Sequence, residues 1–194
     1  MQTLRLPAVV VLVGAAASGK TTLRGRLLAA GLDPRLVVSL DDERSRMYDA
    51  ALAHGRVPHP LQAYTLPALR RADVRRTALL RVGCGYVADA THLRRRERRV
   101  HVAQARAYAL PARALLLART PLDVLLARNA ERPPYRRVPQ DVLAAHAHRH
   151  SLVTLAMLRD EGFDDVRLVA SRSTFALMSD GPAVAASHQD GRPG

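Results

Sequence analysis

The apolar run AVVVLV at residues 8–13 ends at Gly14, and the chain continues GAAASGKTT through residue 22. A short β-branched and aliphatic run closed by glycine reads as a strand buried on both faces, the mark of a parallel sheet covered by helices. The next residues fit G-x-x-x-x-G-K-[ST] in full over 14–21, and helical pattern follows over 20–30, stopped by Gly31 and Pro34. Between a strand and a helix, such a loop wraps its backbone around phosphate. The N–H groups of Gly14, Ala15, Ala16, Ala17, Ser18, Gly19, Lys20, Thr21 and Thr22, with the positive helix end, favour anionic oxygens. Lys20 is the only lysine beside 29 arginines. A compact ammonium on a flexible stem can fold back over the loop toward the β and γ phosphates, where a planar guanidinium would not fit. The Thr21 hydroxyl is the candidate Mg2+ ligand.

The remaining pattern alternates strand and helix. LVVSL at 36–40 reads as a second strand, followed by helical pattern over 42–54. After a break at 55–60 a long helix is predicted over 61–82, with Pro67 as an obstacle because proline inside a helix costs about 3 kcal/mol. GYVAD at 85–89 is a third strand, the arginine-rich stretch 94–108 a helix, and ARALLLA at 112–118 a fourth strand. TPLDVLLARNAE, 120–131, reads as a helix capped by Thr120 with Pro121 at its first position. A proline-rich joint, RPPYRRVPQ, precedes a helix over 140–159 and a last strand at 165–170. These elements predict an α/β fold in one domain over 1–178, with a lid at about 120–145. From Ser179 onward the sequence is small, polar and broken by glycine and proline, which predicts a disordered tail over 179–194.

Length and composition agree with one domain: 194 residues, 48% hydrophobic, 24% charged, with aromatics at 4% and no Trp. The core must be Leu, Val and Ala. A net charge of +13 would draw a polyanionic partner, although in an Ala- and Arg-rich chain many arginines only solvate helix faces. One cysteine, Cys84, excludes an intrachain disulfide and fits a reducing cytoplasm. No apolar run approaches the roughly 20 residues of a membrane helix. The first 19 residues imitate a signal peptide, but cleavage there would remove the phosphate loop, so a cytoplasmic protein is expected.

In a parallel sheet the ligand lies beyond the carboxyl ends of the strands, so chemistry is sought there. Asp41 and Arg44, in LDDER after the second strand, share a helix face. That pair suits an acceptor site, the carboxylate taking a hydroxyl proton and the guanidinium holding an acceptor phosphate; the bland alternative is an N-cap with a surface ion pair. Asp89, in VADATHL, reads either as an outer-shell partner of Mg2+ or a basic side chain, or as a helix cap. Arg94 to Arg99 read as a solvated face. Arg128 and Arg132, four apart, project together and suit a lid that neutralises charge on a transferred phosphoryl group; in isolation they would be a surface pair.

Taken together, GAAASGKT, LDDER, VADATHL, ARNAER and VPQDVL resemble the 5'-OH polynucleotide kinases, over about residues 8–150 in the same order. The resemblance implies a P-loop NTPase-type parallel sheet flanked by helices with a helical lid, ATP or another NTP as phosphate donor, and Mg2+. It makes Lys20 and Thr21 ligands of the ATP phosphates and Mg2+, Asp41 the general base, and Arg44 the contact to the acceptor phosphate. Asp89 then matches an essential aspartate, and Arg128 and Arg132 match lid arginines on the donor. The expected partners are nucleic-acid 5'-OH ends, with any phosphatase or ligase a separate protein, and no membrane. His92 stands where the family often has Asn, which predicts an altered acceptor contact. Tyr48, Tyr64, Tyr86, Tyr108 and Tyr135 are the candidates for stacking on a single strand. The same pattern is similar to kinases of this fold that phosphorylate a small-molecule hydroxyl, on a nucleoside, sugar or antibiotic. A non-enzymatic nucleotide switch or nucleic-acid-binding module is the reading from a third class.

Overall fold

The computed structural model describes residues 1–57 and 60–179. Its strands are β1 (Gln2–Leu6), β2 (Ala8–Val13), β3 (Val37–Ser39), β4 (Gly85–Asp89), β5 (Ala112–Leu117), β6 (Asp165–Val169) and β7 (Phe175–Ser179). Its helices are α1 (Lys20–Ala29), α2 (Leu40–Ala53), α3 (Thr65–Arg81), α4 (Arg95–Ala107), α5 (Leu122–Ala130), α6 (Gln140–Leu152) and α7 (Leu155–Asp160). Five strands form one parallel sheet in the order β3-β4-β2-β5-β6. β2 is central and buried along its whole length, as its apolar run requires. Alanines take part in close packing beside it, with Val11 opposite Ala88 on one side and Ala114 on the other.

The side-chain alternation of β2 divides the core. Val9, Val11 and Val13 pack with Ala72, Leu80, Val102 and Leu158 from α3, α4 and α7. Val10 and Leu12 face the opposite layer, with Leu23 and Leu27 of α1 and with Leu4 and Phe175. Those last two belong to β1 and β7, a separate two-stranded parallel sheet that sequence pattern does not reveal. The chain departs to opposite sides of β2, toward β4 and β3 and toward β5 and β6. This opens a crevice above the carboxyl end of β2.

Several boundaries differ from the sequence expectation. α2 starts at Leu40, because the Ser39 side chain accepts the N–H of Asp42 and caps the helix immediately after β3. The long helix expected over 61–82 is a 3-10 turn, Leu61–Tyr64, followed by α3, which places Pro67 in the first turn where a missing N–H costs little. α5 is capped by Pro121 rather than Thr120. The helix expected over 140–159 breaks at Val153 and restarts as α7, where Thr154 accepts the N–H of Met157. Ser179, expected in the tail, ends β7 opposite Leu6; residues 180–194 lie outside the described residues.

Candidate active site

The phosphate loop leaves β2 at Gly14, whose N–H donates to the Thr91 carbonyl at 3.0 Å. A Cβ on Gly14 would stand 2.8 Å from Ser18 Oγ and 3.2 Å from Leu117 Cβ, so a side chain there would crowd the turn. Gly19, at φ 99°, caps α1 in a left-handed conformation, and a Cβ there would approach Ser171 Cβ to 2.5 Å. Ala15, Ala16 and Ala17 are buried against Leu125 of α5 and Leu143 of α6, which fixes the outer wall of the loop. Ser18 is buried and its hydroxyl has no hydrogen-bond partner among the described residues.

Lys20 folds back over this loop. Its Nζ donates to the carbonyls of Gly14 at 3.0 Å and Ala15 at 2.7 Å. Burial pushes its pKa down to about 8, opposed by Asp89 and Asp41 and reinforced by Arg132. These influences identify three charged groups acting on Lys20. Thr21 and Thr22 follow on the exposed first turn of α1.

Across the crevice Asp89, at the end of β4, is buried, and desolvation raises its pKa against the pull of Lys20 and Arg24. Arg24 holds it: one Nη1 donates to Asp89 Oδ2 at 3.0 Å and to Asp42 Oδ2 at 2.8 Å. Asp89 is therefore an anchored carboxylate facing Lys20 rather than the cap of α4, whose N-cap is Arg94. Arg24 escaped the sequence reading, although its spacing of four from Lys20 on α1 was a usable signal.

Asp41 and Arg44 do share a face of α2, and Arg44 Nη1 donates to Asp41 Oδ1 at 2.8 Å. The Asp41 side chain is 79% exposed. On the other rim, Arg128 Nη1 donates to the Ala17 carbonyl at 3.4 Å, so this arginine lies on the phosphate loop. The Arg132 side chain acts electrostatically on Lys20, and its carbonyl accepts from Arg137 Nε at 2.9 Å. Asn129 ties the segment beyond α5 to itself, exchanging two hydrogen bonds with the backbone of Val138.

Three expectations need correction. His92, expected at an acceptor contact, is buried, with Nδ1 2.8 Å from the Leu12 carbonyl and Nε2 3.1 Å from His101 Nε2. A carbonyl only accepts, so Nδ1 carries the hydrogen and His92 is a neutral strut beneath the loop, its pKa lowered by burial to about 4. Arg98 does not belong to a solvated face. It is buried and paired with Glu161 at 2.7 and 2.5 Å, with a third bond to the His92 carbonyl at 2.9 Å. Tyr86 is no stacking platform either, since it is buried with its hydroxyl 2.8 Å from His101 Nδ1.

The residues present fit a nucleoside triphosphate. Among the described residues, a glycine-limited loop, an orphan Ser18 hydroxyl, a lysine bonded to loop carbonyls and two nearby arginines converge above the α1 N-terminus. Comparison with known proteins bears on the same span: the model of a family described as an AAA domain matches residues 9–152. The chain belongs to this AAA domain family. Its fold is the parallel, helix-flanked sheet of P-loop NTPase-like kinases.

This AAA domain resembles solved structures at low identity. One is a chain of the PezAT chromosomal toxin-antitoxin system of Streptococcus pneumoniae, at TM-score 0.61 and 15% identity over 88% of this chain and 69% of that one. Another is a chain of the Pnkp1/Rnl/Hen1 RNA repair complex, at TM-score 0.56 and 23% identity, covering 77% of this chain and 45% of the other. A gluconokinase from Sinorhizobium meliloti 1021 aligns at TM-score 0.47 and 17% identity, over 88% and 86%. No curated protein matches the sequence. Among the described residues of this AAA domain, no helix is long and apolar enough to cross a membrane.

Proposed function

We propose that this chain is a phosphotransferase that moves the γ-phosphate of ATP, or another NTP, to the 5'-hydroxyl of a polynucleotide. The observation that carries the reading is the arrangement around one crevice of Lys20, the Arg24-anchored Asp89, the exposed Asp41–Arg44 pair and the lid arginines. Phosphoryl transfer needs little beyond positioning and charge compensation, and these groups supply both. In this reading Asp41 accepts the proton of the attacking hydroxyl, while Arg44 holds Asp41 and meets the acceptor's phosphate. Lys20, Arg128 and Arg132 neutralise charge on the donor phosphates. The Thr21 hydroxyl and the Asp89 carboxylate offer the oxygen chemistry that Mg2+ takes, directly or through water. Bound Mg2+ would screen the phosphate oxygens from one another.

Support for a polymeric acceptor comes from the motif order, the net charge of +13 and the likeness to a chain of an RNA repair complex. The test is Asp41→Ala. Its exposed side chain makes no core contact, so melting should be unchanged while transfer to a 5'-hydroxyl oligonucleotide falls by about 10^2-fold or more. Retention of most activity would remove Asp41 from the role of base.

A further inference from the structure

α2 carries Asp41, Arg44, Ser45 and Tyr48 at spacings of three and four, so they form one stripe along the helix. The segment after α5 lies on the same stripe. Arg136 Nη2 donates to Ser45 Oγ at 2.8 Å, and the Tyr135 ring stacks on Tyr48 with centroids 4.8 Å apart and planes 11° from parallel. The Arg136 guanidinium lies 5.6 Å from the centre of the Tyr135 ring. Tyr135 is 39% exposed and Tyr48 half-buried, so the pair sits at the rim rather than in a core.

Few aromatics are available for this contact. The chain has five tyrosines and two phenylalanines, and Tyr86, Phe163 and Phe175 are buried in the fold. A lid needing only adhesion to α2 has the Arg136–Ser45 bond and aliphatic side chains to use. Two parallel phenol rings, with a cation beside them, one turn beyond Arg44 and two beyond Asp41, make a surface that a nucleobase recognises. Asp41 and Tyr48 are seven positions apart, about 10 Å along the helix axis, and the Tyr48 side chain leans toward the N-terminal end of α2 where Asp41 lies. That span suits one nucleoside, with its hydroxyl at Asp41 and its base at Tyr48.

Resting on the 5'-hydroxyl kinase reading above, we propose that Tyr48 and Tyr135 form a clasp for the terminal nucleobase of the acceptor. With no acceptor the rings close on each other. The base enters by stacking on Tyr48, and Tyr135 covers its other face as Pro133, Pro134 and Pro139 carry the segment up as a stiff unit. Acceptor capture and seating of Arg132 then become one movement, because only Pro133 and Pro134 separate Arg132 from Tyr135. The clasp selects a flat aromatic base and gives no purchase to a sugar.

The experiment uses the full chain and three 5'-hydroxyl oligonucleotides: unmodified, abasic at the first nucleotide, and carrying 2-aminopurine there. Wild type should quench 2-aminopurine on binding and should show a KM roughly 5- to 150-fold lower for the unmodified strand than for the abasic one. Tyr48→Ala and Tyr135→Ala should abolish the quenching and bring that ratio to about one, with the KM for ATP unchanged; Tyr135→Phe should retain both effects. Equal use of abasic and unmodified strands by wild type, without quenching, would overturn the clasp and leave the kinase reading standing. Quenching with no phosphoryl transfer would overturn the kinase reading and leave a base-binding clasp. A rise in the KM for ATP equal to that for the strand, in both alanine variants, would make the rings a structural latch only.

Discussion

Replacing Glu161 by glutamine exposes how the phosphate loop is supported. Arg98 and Glu161 have side chains 1% and 2% exposed, and their two bonds span residues 63 apart in sequence. Glutamine keeps the shape but removes the charge, leaving a buried guanidinium with one amide oxygen and the His92 carbonyl as acceptors. Breaking one side of a buried pair costs about 3–5 kcal/mol. At roughly 2–4 °C per kcal/mol for a domain of this size, Tm should fall by about 6–20 °C. Calorimetry on Glu161→Gln measures the loss directly. The double variant Arg98→Met, Glu161→Leu removes both charges and should recover at least half of it, the remainder reflecting the unmet His92 carbonyl. Because the adjoining Thr91 carbonyl holds the Gly14 N–H, the single variant should also weaken nucleotide binding. A Tm within about 1 °C of wild type would refute the reasoning, since it would mean that the pair is hydrated and contributes little.

Three further outcomes follow from the same geometry. Lys20 is charged below about pH 8 in the free protein and bound phosphate favours that charge, so the Kd for a nucleotide should rise about tenfold per pH unit above pH 8; a flat titration from pH 7 to 10 would contradict the contact. Arg24→Gln removes a cation that lowers the pKa of Asp89, so that pKa should rise further, and the acid limb of the pH–rate profile should move to higher pH with kcat reduced about tenfold or more. An unmoved limb would detach Asp89 from the chemistry. His92 and His101 are held neutral by burial, with folded pKa values below the ordinary 6.5. The unfolded chain therefore binds more protons than the folded one as pH falls from 6.5 toward 4, and stability should drop by up to about 1.4 kcal/mol per unit per histidine across that window. Denaturant melts of wild type and His92→Gln at pH 7 and pH 5 would detect it as a smaller pH effect in the variant.

The sheet was legible because its strands are apolar runs ended by turn residues, and the site because each strand end is followed by a polar cluster. Lys20, Asp41, Arg44 and Asp89 stand at the crevice because the parallel topology brings the ends of β2, β3 and β4 together, and Arg128 reaches it from α5. Other features depended on partners distant in the chain. QTLRL and FALMS look like ordinary termini until β1 and β7 pair across some 170 residues. Arg98 looked solvent-facing because five arginines crowd 94–99, and only Glu161, 63 residues later and packed on the same face of the sheet, makes it a core residue. His92 resembled a ligand by position, whereas its left-handed φ of 46° sends the ring toward the Leu12 carbonyl. The Tyr48–Tyr135 stack joins two elements whose proximity depends on how the segment after α5 folds over α2, which no local periodicity encodes.

The most direct test of the central claim is transfer of labelled γ-phosphate from ATP with Mg2+. The acceptors are a short 5'-hydroxyl oligonucleotide, its 5'-phosphorylated twin, and a panel of nucleosides, sugars and aminoglycosides. The account predicts label on the 5'-hydroxyl strand, none on the phosphorylated strand, and loss of the signal in Lys20→Ala and Asp41→Ala. Label confined to a small molecule would contradict the polymeric acceptor, and ATP binding with no transfer to any hydroxyl would contradict the assignment of the crevice as a kinase site.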